Sequence, residues 1–363
     1  MIPLSETLLN KAPFSLPQAE KEGLLLPLLQ SLTLEHKVAC PAYRKIVDLA
    51  FPHSESGQTL ADLPFLPLSL FRHRALRSIP NENVQMTLLS SGTTAPEKSH
   101  VDLDDVTLQL AARAMVSTIH EIIGKQNLPM LVLDAPLADQ AEEGLGARTS
   151  IIRSLMTFGH EHVFALHAGG ALNEDAIEHF LAAHKGQPFL LFGFTDKLWE
   201  TVLPAFKRKA YDLSGGILLH TGGWRQLTRE YIDNETFSTY FTQATNLSRV
   251  VNFYGMVEMI GTLFVENTDG LLYVPAFADV IIRDPVNFKP VEDGSPGLIQ
   301  VLSLIPRSYP GHSLLTEDVG MIQAIDTGVN GWKGKALRFL GRVPKTTLRD
   351  INYAGGTENI QAA

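Results

Sequence analysis

The 363-residue sequence has a single cysteine, Cys40. One thiol forms no internal disulfide and builds no cysteine-based zinc site, which excludes a disulfide scaffold and a zinc-ribbon module. Long apolar runs are missing as well. The longest, residues 23–29 and 128–133, contain proline and fall far short of the roughly 20 residues that span a bilayer. The first residues, Met1 to Phe14, lack the basic stretch and apolar core of a secretory signal. Basic residues are in the minority: 30 Lys and Arg against 39 Asp and Glu, a net charge of -9, with no Lys/Arg run long enough to make a dense patch. That balance argues against a nucleic-acid partner, whose phosphates need a dense basic patch. The expectation from these absences is a soluble cytoplasmic enzyme with no membrane contact.

What is present is a globular composition, 45% hydrophobic and 19% charged. Residues 1–50 read as helical, with Leu24, Leu25, Leu28, Leu29 and Leu32 at helical spacing. Residues 63–71 carry two prolines among alternating apolar residues and predict an extended, docked segment. Apolar runs at 84–89, 130–133, 189–192, 217–219 and 250–253 predict strands. A helix is predicted over 104–123, opened by aspartates and closed by Gly124, and another over 151–158; the Gly- and Ala-rich stretch 137–149 reads as a loop. Strands alternating with helices predict an α/β fold with some parallel pairing, in which ligands gather beyond the carboxyl ends of the strands. After residue 270 short β-rich runs at 271–274, 280–283, 297–304 and 320–324 predict a smaller β subdomain.

The segment richest in chemistry is Ser90-Ser91-Gly92-Thr93-Thr94-Ala95-Pro96-Glu97-Lys98-Ser99. Hydroxyls and loop N–H groups donate to phosphate oxygens, Gly92 lets backbone approach closely, and Lys98 adds a full charge. A polar surface loop has the same composition. Residues 92–99 come close to a Walker P-loop, but Glu97 stands where the second glycine belongs. A glutamate there resists positive φ and sets negative charge beside a polyphosphate, so the Walker reading is rejected.

The run resembles instead the phosphate loop of adenylate-forming enzymes, S-[ST]-G-[ST]-T-G-x-P-K, with Ala95 in place of the second glycine and the proline displaced to Pro96. Four further segments resemble that superfamily's motifs and occur along the chain in its order. Asn252-Phe253-Tyr254-Gly255-Met256-Val257-Glu258 resembles Y-G-x-T-E, with Val257 for the threonine. His220-Thr221-Gly222-Gly223-Trp224 resembles the glycine segment beside adenine. Thr316-Glu317-Asp318 resembles T-G-D, with Glu317 for the glycine, and Gly341-Arg342 resembles the later G-R segment.

The resemblance implies ATP and Mg²⁺ as cofactors and a small-molecule carboxylic acid as substrate. It implies Ser90, Ser91, Gly92, Thr93, Thr94 and Lys98 on the phosphates and Glu258 on the metal, with Lys98 and Glu258 as the catalytic pair. Gly222, Gly223, Trp224, Tyr254 and Gly255 would frame adenine, Asp318 would hold ribose, and Arg342 ribose or phosphate. The acid is expected between Phe192-Gly193-Phe194 and the 254–260 segment, against Met256 and Met259.

Within the superfamily the chain resembles the luminescence acyl-protein synthetase branch, through residues 63–72, the 220–224 segment and overall length, and also resembles a phenazine-biosynthesis protein of that branch. The implied function is activation of an aromatic acid such as a phenazine carboxylate, in antibiotic biosynthesis. The alternatives are a fatty-acid acyl-protein synthetase feeding a reductase, or a degenerate nucleotide- or acid-binding protein. A reductase or acyl-acceptor protein and a homodimer are the partner expectations. The expected domains are an adenylate-forming N-terminal-type domain at 1–340, with its β-rich subdomain at about 271–340, and a hinge and tail remnant at 341–363. Only 21 residues follow Arg342, so the superfamily's mobile C-terminal domain is expected to be absent or vestigial. The luminescence enzyme carries its acyl group on a cysteine near its C-terminus; here Cys40 lies in a helical N-terminal region and reads as a buried structural thiol.

Overall fold

The computed structural model describes residues 8–52, 57–73, 76–90, 98–137, 145–222 and 232–342. The chain opens with helices α1 (Gln18–Ala39) and α2 (Pro41–Ala50). α1 runs through Pro27, which removes one backbone donor. Leu25, Leu29 and Leu32 are buried on one of its faces, and that packing keeps the helix whole.

The strands are β1 (Leu66–Pro67), β2 (Met86–Leu89), β3 (His100–Leu103), β4 (Leu128–Val132), β5 (Leu145–Gly146), β6 (Gly159–Phe164), β7 (Phe189–Phe194), β8 (Gly216–Thr221), β9 (Arg249–Tyr254), β10 (Phe264–Glu266), β11 (Leu272–Tyr273), β12 (Ala278–Arg283), β13 (Gly297–Ser303), β14 (Ser313–Ile325) and β15 (Lys335–Arg342). Among the described residues twelve of them form one sheet, in the order β12-β13-β14-β15-β11-β10-β9-β8-β7-β4-β6, with β1 on β14. From β6 to β9 the pairing is parallel, and from β9 to β12 antiparallel. The β-rich C-terminal part therefore continues the parallel sheet strand by strand. β3, β2 and β5 make a second, three-stranded sheet.

Both faces of the central strands β4 and β7 are covered, so they read as unbroken apolar runs, whereas the edge strand β6 carries exposed His160, Glu161 and His162. Met130, Val132, Leu190, Phe192, Leu219 and Phe253 face one core with α3 (Asp105–Ile123) and α4 (Ala147–Met156). Leu131, Leu133, Phe189, Leu191 and Leu218 face the other, with α5 (Glu174–Ala183), α6 (Leu203–Lys209) and α7 (Asn234–Thr245). α3 begins and ends where its caps predict: Asp104 accepts from Thr107 N, and Gly124 turns the chain at φ +79°.

Three expectations are corrected. Residues 147–149 belong to α4 rather than to a loop, because Ile152 and Leu155 pull the whole turn onto the sheet. Gly193 and Phe194 extend β7 beyond the 189–192 run, and His220 and Thr221 extend β8 beyond 217–219; Gly193 pairs with His220 and Phe194 with Thr221 in the parallel ladder. No described helix is long and apolar enough to cross a membrane.

Candidate active site

The phosphate-loop segment is the connection of a β hairpin. β2 and β3 pair antiparallel, Met86 opposite Leu103 and Leu89 opposite His100. Ser90 and Ser99 then close the mouth: Ser90 N donates to Ser99 O at 3.1 Å, and Ser99 N donates to Ser90 Oγ at 2.8 Å. Ser91, Gly92, Thr93 and Thr94 lie outside the described residues; Lys98 is exposed on the returning arm. A Walker loop opens a helix, whose N-terminus holds the phosphates. Here a strand follows, so topology excludes the Walker motif independently of Glu97.

Three candidate residues far apart in sequence meet on the antiparallel part of the sheet. Tyr254 ends β9, Asp318 lies within β14 and Arg342 ends β15, where Asp318 is opposite Arg342. Tyr254 Oη donates to Asp318 Oδ2 at 2.7 Å, and Arg342 Nε donates to Asp318 Oδ1 at 3.0 Å. Burial and the adjacent Asp318 charge both raise the Tyr254 hydroxyl pKa, so it stays a protonated donor. Burial opposes the Arg342 charge, but Asp318 prevails and the guanidinium is held above its usual value. The Phe339 ring lies 5.7 Å from that of Tyr254.

Glu258 sits four residues beyond Tyr254 in the single turn Val257–Met259 and is 4% exposed. Burial raises its carboxyl pKa; Ser99, Arg72 and Arg342 oppose the rise. The Ser99 hydroxyl, on the returning arm of the hairpin, is buried and makes no hydrogen bond among the described residues. No group of three or more His, Cys, Asp or Glu able to hold a metal exists among the described residues. A magnesium ion is commonly held by one or two carboxylates plus substrate phosphates, so a lone Glu258 fits such an ion.

Gly222 follows β8 at φ +92°, a conformation that favours glycine. It borders a cavity of about 840 Å³ with Asn252, Arg338 and Phe339, at the carboxyl ends of β7 to β9. Gly223 and Trp224 lie outside the described residues. Gly255, Met256 and Met259 line a second, apolar cavity of about 70 Å³ with Ala147, Ser150 and Phe253. Phe192, Gly193 and Phe194 do not line it. Phe192 is fully buried against Phe194 and Phe253. A Cβ on Gly193 would meet Leu198 Cδ2 at 2.6 Å, so that glycine serves packing on the other face. Phe194 lies under the Arg148 guanidinium at 4.3 Å, and Arg148 is paired with Asp134 at 2.7 Å.

Sequence reasoning passed over Glu266, which lines the large cavity and is 8% exposed, and Arg72, whose charge reaches Glu258. Glu266 lies in no motif, and a Glu at the end of a short strand carries no local signal; Arg72 ends the 63–72 segment of the family resemblance, which implied no role for it.

The profile of the acyl-protein synthetase, LuxE, family matches residues 2–354. The chain belongs to this family. Among curated relatives, the long-chain-fatty-acid–luciferin-component ligase of Aliivibrio fischeri is 21% identical over 295 residues, 75% of this chain and 72% of its own length. The enzyme of the same description from Vibrio harveyi is 22% identical over 293 residues, 74% and 71% of the two chains. Among solved structures, an open conformation of 2-hydroxyisobutyryl-CoA ligase with 2-HIB-AMP and CoA superimposes with a TM-score of 0.68 at 16% identity, covering 90% of this chain and 76% of that one. The same ligase in its postadenylation state gives 0.68 at 14% identity, covering 91% and 69%. The fold is thus that of adenylate-forming ligases, and membership of the LuxE family makes the chain an acid ligase.

Proposed function

We propose that this LuxE-family chain activates a long-chain fatty acid as its acyl-adenylate at the expense of ATP, and passes the acyl group to a protein acceptor or a reductase. The observation that carries this reading is the convergence of Tyr254, Asp318 and Arg342 next to Glu258. It supports a nucleotide site in which Asp318 holds ribose hydroxyls, Arg342 aligns Asp318, and Tyr254 and Gly222 border the base. Glu258 takes Mg²⁺, and the 90–98 hairpin loop with Lys98 takes the phosphates. The acid lies toward Met256 and Met259.

The reaction is attack of a carboxylate oxygen on the α-phosphorus with release of pyrophosphate. The protein contributes position and charge neutralisation rather than covalent chemistry. The names of the two curated relatives support a fatty acid over a phenazine carboxylate.

The test is acid-dependent pyrophosphate exchange with tetradecanoate and a phenazine carboxylate side by side. Faster exchange with the fatty acid is expected; exchange only with the phenazine acid returns the aromatic reading. ATP binding without exchange on any acid marks a degenerate protein. Lys98→Ala and Glu258→Gln are each expected to lower exchange by at least about tenfold with the fold intact, and wild-type rates in both would sink the site.

A further inference from the structure

Residues 66–73 have no part in the nucleotide site as drawn above, yet they touch it twice. β1 pairs in parallel with β14, Leu66 opposite Leu314 and Pro67 opposite Leu315, and Leu68 N donates to Leu315 O at 2.9 Å. This pairing carries the turn Leu70–His73 to the stretch of β14 that presents Glu317 and Asp318. There Arg72 grips Glu317 with both terminal nitrogens, Nη1 to Oε1 at 3.1 Å and Nη2 to Oε2 at 3.2 Å. The pair is 14% and 19% exposed, and two-point Arg–carboxylate contacts of this kind are directional. One residue earlier, the Phe71 ring meets Tyr309 edge-on at 5.9 Å, and Tyr309 Oη donates to the Glu258 carbonyl at 3.0 Å.

Glu317 stands where the T-G-D motif has glycine. In that position it adds a third carboxylate to Glu258 and Asp318. Unpaired, it would repel an incoming triphosphate.

We propose that Arg72 is a positioning residue of the nucleotide site: it neutralises Glu317 and keeps that carboxylate off the phosphates, making the docked 66–73 segment a working part of the site. The inference rests on the nucleotide reading above. Arg72 does not itself touch the nucleotide in this scheme, and its effect passes through Glu317.

The experiment measures KM for MgATP and kcat for pyrophosphate exchange in the full chain, with melting temperature alongside. Arg72→Ala is expected to raise KM for MgATP by about tenfold while kcat stays within about threefold. Arg72→Met, which keeps the packed stem, is expected to do the same and serves if the alanine variant does not fold. Adding Glu317→Gln to either is expected to restore KM to within about threefold of wild type. A double variant no better than the single one overturns the inference, since Arg72 would then act on the nucleotide or the fold directly. Unchanged KM in the single variants overturns it too. A wild-type chain that neither binds MgATP nor exchanges pyrophosphate removes the nucleotide reading itself and this inference with it.

Discussion

Glu266 shows how a single residue can set the pH dependence of this fold. Its carboxylate accepts from Asn252 N at 3.0 Å and from Asn234 Nδ2. Burial pushes its pKa from 4.5 up to about 7, Asn252 and Asn234 pull back, and Asp269 adds a further push. Below pH 4.5 folded and unfolded chains both hold the proton. Between 4.5 and 7 the unfolded chain releases it and the folded chain keeps it, so stability falls as pH rises. The loss reaches roughly 3 kcal/mol above pH 7. Glu266→Gln carries no charge at any pH and escapes that fall. The melting temperature of the variant relative to wild type is therefore expected to rise from pH 4.5 to pH 8. A difference that does not change with pH would show that Glu266 is ionised in the fold.

At the scale of elements, local signals were readable and long-range ones were not. α3 was legible because its caps, Asp104 and Gly124, lie at its own ends. The meeting of Tyr254, Asp318 and Arg342 was legible only as three motifs; their contact depends on β14 lying against β15. β14 itself was read as 320–324 but runs Ser313–Ile325, because Glu317 and Asp318 look like turn residues until Arg72 and Arg342 pair them. The Arg72 partner is 245 residues away, beyond any sequence window. The extended docking expected of 63–71 from its prolines is realised only in part: Leu66–Pro67 form β1, whereas Leu70 and Phe71 enter the helical turn Leu70–His73.

A close approach between elements holds the segment after Glu258 in place. Gly261 has φ +69°, and a Cβ there would meet the Ala111 Cα of α3 at 2.5 Å. Gly294 has φ +83° with nothing within 4 Å. Both alanine variants bear left-handed strain of about 1 kcal/mol, but only Gly261→Ala also pushes backbone against backbone. Urea unfolding is expected to show Gly261→Ala destabilised by about 2–4 kcal/mol and Gly294→Ala by about 1. Equal losses would mean that α3 does not bear on this turn.

At the scale of the whole molecule, the question is where an activated acyl group can go. The 363 residues contain one thiol, Cys40, which is 3% exposed. It caps α2 at the α1–α2 junction and packs with Tyr43, Val47 and Leu66. An acyl chain reaching it would have to displace that core, which also holds Leu88 and Val101 of the hairpin and Val257 beside Glu258. A thioester on Cys40 would therefore require unpacking of that cluster. On the proposed function the acyl group is therefore expected to leave this chain rather than rest on Cys40. Incubation with ATP, Mg²⁺ and tetradecanoate, followed by intact-mass measurement with and without hydroxylamine, is expected to find Cys40 unmodified while pyrophosphate is released. A hydroxylamine-labile mass increment mapped to Cys40 would show that the α1–α2 core opens during turnover and would make the chain its own acyl carrier.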